Sequence, residues 1–151
     1  MKNQFLTVLF ILITGAYSSA QKINVLSVQS LLNEGESKYK ELVDKSNKTI
    51  ARFEIDQTDQ LSGKLTPVKL TSGITYTILL LGEADILSEI GLKIYPFSDR
   101  SRLLKSEVDN KSRILETTFK PDNSAYFDFE IIAKMLSGEN NTGRYCLIVA
   151  N

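Results

Sequence analysis

The sequence predicts an all-β chain: an antiparallel β-sandwich, jelly-roll-like, of seven or eight strands, preceded by a short N-terminal helical segment. Three observations predict it. Between residues 48 and 150, apolar and polar residues alternate with period two in one run after another, as they do in half-buried strands. Clusters of Gly, Pro, Asn, Asp and Ser separate the runs and supply backbone angles that strand residues resist. The runs recur at roughly ten-residue spacing, the rhythm of a sandwich.

The chain opens with Lys2, the apolar run FLTVLFILIT (5–14) and the small-residue stretch GAYSSA (15–20). A basic end, a short apolar run and a small-x-small site formed by Ser18 and Ala20 are the parts of a secretory signal peptide, with cleavage expected ahead of Gln21. The run is too short to span a bilayer, which needs about 20 apolar residues. Removing the 20 residues from 151 leaves 131, enough for one sizeable core. No Cys follows the small residues, so the expectation is a soluble exported protein, periplasmic or extracellular, and not a lipoprotein.

Residues 21–46 form the second unit, helical or irregular. Val28, Leu31, Leu32, Tyr39, Leu42 and Val43 fall near helical spacing, with acids early and lysines late, an order that suits the helix dipole. Ser27 or Ser30 is the expected cap. Gly35 interrupts the pattern. The segment reads either as one broken helix, or as a strand near residues 23–26 followed by a helix near 36–45. Its apolar side is expected to pack across the outer face of the sandwich near Cys146 and Ile148.

The third unit, residues 47–151, is the sandwich. In TIARFEID (49–56), Ala51, Phe53 and Ile55 point one way and Arg52, Glu54 and Asp56 the other. Val68 and Leu70 flank Lys69. Ile74, Tyr76, Ile78 and Leu80 share a face, as do Ile90, Leu92 and Ile94, and then Leu115, Thr117 and Phe119. In AYFDFEIIAKM (125–135), Phe127, Phe129 and Ile131 are expected inside, with Asp128 and Glu130 facing water. The closing YCLIVA (145–150) is apolar on both faces, so it is expected to be central or covered on both sides.

Charge and composition exclude several chemistries. The 18 basic and 18 acidic residues balance, and loss of Lys2 with the leader leaves −1. Such a surface carries no electrostatic footprint for nucleic acid. There is no His, which removes the commonest general base and metal ligand and with them Ser–His and Cys–His hydrolytic sites. The single Cys146 cannot form an internal disulfide and reads as a buried structural thiol. Neither a cofactor nor a metal is expected. Asp56 with Asp59, Glu83 with Asp85, and Glu107 with Asp109 are the carboxylate pairs a His-free hydrolase would need. Each lies in or beside a turn, where acids are ordinarily solvated. Calcium at Asp56, Asp59 or Asp85 would need six to eight oxygens, and no D-x-D-x-D-G loop is present. The basic residues Arg100, Arg102, Lys105, Lys111 and Arg113 interleave with acids and read as a mixed-charge hairpin. Tyr126, Asp128 and Glu130 form a polar stripe on an otherwise apolar strand, the candidate surface for a sugar or a peptide.

Four pieces in order, LTSGITYTILLLG (70–82), ADILSEIGLKIY (84–95), TFKPDNSAYFDFEI (118–131) and TGRYCLIV (142–149), resemble the bacterial pre-peptidase C-terminal domain over residues of about 64–149. That domain is a small β-sandwich appended to secreted peptidases and other exported proteins. The resemblance implies a fold, a bacterial source and an accessory role without catalysis, and no particular ligand. The functional expectation is an exported, non-catalytic module that binds a protein, polysaccharide or envelope component. The alternative is a small carboxylate-based hydrolase such as a glycosidase, and an inhibitor or envelope structural protein is indistinguishable from the first.

Overall fold

The computed structural model describes residues 25–109, 112–136 and 142–151. The expected signal peptide at 1–20 lies outside the described residues. Helix α1 (Val25–Lys40) runs into a π-helical turn (Glu41–Lys45). Eight strands follow: β1 (Ile50–Asp59), β2 (Lys64–Leu70), β3 (Tyr76–Gly82), β4 (Leu87–Pro96), β5 (Lys105–Asp109), β6 (Ile114–Phe119), β7 (Ala125–Met135) and β8 (Thr142–Ala150). They form two four-stranded sheets, ordered β1-β8-β3-β6 and β2-β7-β4-β5. Every pairing is antiparallel. All connections but β4–β5 cross between sheets, the wiring of a jelly roll.

Period-two alternation builds the core. Ile78 and Leu80 of β3, Ile90, Leu92 and Ile94 of β4, Phe127, Phe129 and Ile131 of β7, and Tyr145, Leu147 and Val149 of β8 meet between the sheets. β8 is central, hydrogen-bonded to β1 and β3. Its second apolar face is covered too. One cross-strand row, Ile55, Cys146, Leu81 and Ile114, runs over all four strands of the first sheet and lies beneath α1 with Leu31 and Leu42. The helix therefore packs on the outer face at Cys146 and Ile148, as the apolar closing strand predicts.

The helix differs in detail from expectation. It is continuous through Gly35, because that residue is the point of closest approach. A Cβ there would lie 2.9 Å from Cys146 Sγ. Ser27 and Ser30 lie within the helix, past Val25 where it begins. Leu31 is buried, whereas Leu32 turns to solvent. Arg113 fastens the helix, donating to Glu34 Oε2 at 2.7 Å and to the Gly82 carbonyl at 3.0 Å.

Strand β1 uses its faces in an unexpected way. The apolar set looks outward, with Ile55 in the cluster under α1 and Phe53 edge-on to Tyr39 at 5.8 Å. Its acid Glu54 instead accepts from Tyr145 Oη and Thr66 Oγ1, both at 2.9 Å, and pairs with Arg52. Burial, more than the nearby carboxylate, pushes the Tyr145 phenol far above its ordinary range. Strand β5 gave no apolar signal. It is an edge strand, KSEVD, whose charged residues suit an unpaired rim.

Candidate functional site

Three loops gather at one end of the sandwich. Residues 71–75 join β2 to β3, 97–104 join β4 to β5, and 120–124 join β6 to β7. The first and third are tied together: Gly73 N donates to the Pro121 carbonyl at 3.3 Å, Ser72 Oγ to the Asp122 carbonyl at 2.7 Å, and Ser72 N to Ser124 Oγ at 2.9 Å. Gly73 turns the chain at φ 80°, an angle glycine adopts without a steric penalty.

Between the second and third loops lies a cleft of about 780 Å³. Phe97, Arg102, Phe119, Lys120, Asp122 and Tyr126 carry its chemistry. Phe97 and Tyr126 are 55% and 50% exposed, their rings 5.9 Å apart and inclined at 52°. Side by side on a cleft wall, two large aromatics offer apolar contact area together with the polar handle of the Tyr126 hydroxyl.

The stripe on β7 divides between two tasks. Tyr126 opens onto the cleft. Alternation alone puts Asp128 and Glu130 in water, but they are buried, 8% and 6% exposed. Both point away from the core, but the 97–104 loop folds back over them. Asp128 Oδ2 accepts from Ser98 N at 2.8 Å, holding a residue whose φ of 61° is costly outside glycine. Glu130 pairs with Arg100 and accepts from Tyr95 Oη at 3.1 Å, with Lys93 Nζ at 3.8 Å. The Arg100 guanidinium lies 5.8 Å over the Tyr95 ring. Burial and the Glu130 carboxylate raise the Tyr95 phenol above its ordinary value. Asp99 closes a tight turn, accepting from Ser101 N and Oγ at 3.1 and 2.6 Å. The loop that presents Phe97 is thus fixed from beneath before any ligand arrives.

The carboxylate pairs are engaged elsewhere. Asp56 pairs with Lys64 at 2.8 Å, and that contact holds its carboxyl below the usual range. Asp59 is lowered by the Ser62 hydroxyl and by the backbone N–H groups of Ser62 and Leu61, capping a turn. Glu83 is buried against Arg144, whose N donates at 3.0 Å. Asp85 is exposed in a left-handed turn, and Glu107 pairs with Lys105 at 2.9 Å. Burial pushes the Cys146 thiol up to about 12, with Glu34 adding to the effect. Among the described residues, no group of three potential ligands could hold a metal ion, and no helix is long and apolar enough to cross a membrane.

Of the lining residues, the polar stripe on β7 singles out Tyr126 alone; Phe97, Phe119, Lys120 and Asp122 lie outside that pattern. The turns PFSD (96–99) and PDNS (121–124) were visible in the sequence; their meeting at one end follows only from the crossing of strands between sheets.

No family model matches the chain, and no curated protein matches it. Among solved structures, the chain is similar to the pre-peptidase C-terminal domain of collagenase from Bacillus anthracis, with TM-score 0.49 and 14% identity over 66% of this chain and 89% of that one. A chain from the disulfide-linked pili of Bacillus endospore appendages is similar at TM-score 0.35 and 12% identity, over 68% of this chain and 88% of that one.

Proposed function

We propose that this chain is an exported, non-catalytic β-sandwich module that binds an extended polymer in the cleft at the end of the sandwich. One observation carries the reading: Phe97, on a loop already fixed by Asp128 and Glu130, stands exposed together with Tyr126 of β7. A prefixed loop loses little conformational freedom on binding, so more of the contact energy appears as affinity. The cleft is open at the end of the fold and of a size that takes a few polymer units. The engagement of Asp56, Asp59, Glu83 and Glu107 in ion pairs, caps and turns favours binding over carboxylate-based hydrolysis.

Affinity electrophoresis against unfolded casein, pectin, cellulose and peptidoglycan tests it. For whichever polymer retards the chain, the Phe97→Ala/Tyr126→Ala double variant should lose at least about tenfold in affinity, the scale of a lost aromatic anchor. Its melting temperature should hold, since both side chains are half exposed. Unchanged retardation of the double variant would place binding elsewhere.

A further inference from the structure

The charges around the cleft identify its ligand more closely, given the reading above that the cleft binds a polymer. The chain has five arginines. Four pair with glutamates: Arg52 with Glu54, Arg100 with Glu130, Arg113 with Glu34 and Arg144 with Glu83. Arg102 pairs with no carboxylate among the described residues, and it lines the cleft. Lys120, on the facing loop, and Lys69, opposite Tyr126 in the β2–β7 register, are likewise in no ion pair among the described residues. Asp122 is the acid on the lining. Asp99 feels the Arg102 charge, but its carboxylate is already occupied by Ser101. In a chain of balanced charge this is a local cationic excess beside exposed aromatics.

The aromatic geometry decides between peptide and glycan. The rings touch, their centroids 5.9 Å apart, and are inclined at 52°, so together they form no single flat face, and an apolar side chain can pack against the tilted pair. A sugar ring stacks on a flat face. We infer that the cleft recognises an acidic peptide segment: an aromatic or apolar side chain packs against the touching rings of Phe97 and Tyr126, and flanking carboxylates meet Arg102 and Lys120. An arginine fork receives a carboxylate with two hydrogen bonds, which a lysine cannot match.

Fluorescence anisotropy with the purified chain tests the inference. The probes are a labelled Glu-Glu-Phe-Glu-Glu peptide and its Gln-Gln-Phe-Gln-Gln counterpart, with polygalacturonate as unlabelled competitor. The acidic peptide should bind at least about tenfold tighter than the neutral one, and more weakly as salt rises. Arg102→Gln and Lys120→Gln should each weaken it by about fivefold or more. Neither should change the melting temperature, because neither side chain donates a hydrogen bond among the described residues. Equal binding of the two peptides overturns the acidic preference. The cleft reading then stands if Tyr126→Ala still abolishes binding. Binding of polygalacturonate without the acidic peptide overturns the peptide occupant in favour of an acidic glycan. If no probe's binding responds to Tyr126→Ala, both the inference and the cleft reading fall.

Discussion

Gly35→Ala adds one methyl group where helix and sheet come closest. On the backbone as it stands, that methyl lies 2.9 Å from Cys146 Sγ, nearer than real Cβ atoms approach. The next atoms, Cys146 Cβ and Phe53 Cζ, are both at 3.7 Å, ordinary contact. Two effects therefore oppose each other. Alanine gains about 1 kcal/mol of helix preference over glycine, whereas overpacking costs about 1–3 kcal/mol. The sulfur has little room to give, since Cys146 is fully buried between its cross-strand neighbours Ile55 and Leu81. The cost wins, and Gly35→Ala should destabilise the chain by about 1 kcal/mol net. In a Cys146→Ala background the sulfur is gone and the helix preference acts alone, so the same change should stabilise by about 1 kcal/mol. Urea unfolding of the four chains closes a double-mutant cycle with a coupling of about 2 kcal/mol. A coupling near zero, or stabilisation by Gly35→Ala in the unaltered chain, would mean that α1 does not rest on Cys146.

Further predictions concern the core, the pH dependence and the covered thiol. Phe129→Ala should cost about 3–5 kcal/mol in denaturant unfolding, since the ring is fully buried. Asp128→Ala should cost about 1–2 kcal/mol, because it releases the Ser98 N–H that the carboxylate holds. A cost below about 0.5 kcal/mol, the size expected of a free surface acid, would show that the loop is not anchored there. Asp56 has a folded pKa below its unfolded value, so its contribution is present above the unfolded pKa and is lost as pH falls through the folded one. Stability should fall on acidification below about pH 4, and Asp56→Asn should flatten that arm of the curve. Truncation before Thr49 should lower the melting temperature and expose Cys146 to iodoacetamide under native conditions, where the intact chain stays unreactive. Equal melting and continued protection would show that some other element covers the thiol.

Strands β7 and β8 were legible because their side chains answer to one rule each. Alternation sorts Phe127, Phe129 and Ile131 from Asp128 and Glu130, and a strand apolar on both faces requires two covers. The same rule misleads when a second layer lies outside the sandwich. Asp128 and Glu130 are polar and point away from the core, but the loop above them removes the water. In β1 the apolar face serves α1, and Glu54 goes toward the Tyr145 hydroxyl. Nothing in a single strand's pattern tells which side has the helix. Gly35 carried a true signal with the wrong cause, since a small residue in a helix marks close approach as readily as a break. Strand β5 has no apolar period because an edge needs charge more than burial. The cleft is the least legible feature. Its lining comes from turns about 25 residues apart in sequence, joined by strands that cross from sheet to sheet.

Two exposed aromatic pairs mark different surfaces of the molecule: Phe97 with Tyr126 at the cleft, and Tyr39 with Phe53 where α1 meets β1. Aromatic side-chain NMR during titration with a bound polymer separates them in one experiment. The account predicts that the ring signals of Phe97 and Tyr126 shift in proportion to occupancy, while those of Tyr39 and Phe53 stay in place. Saturating binding that moves Tyr39 and Phe53 and leaves Phe97 and Tyr126 unchanged would contradict it.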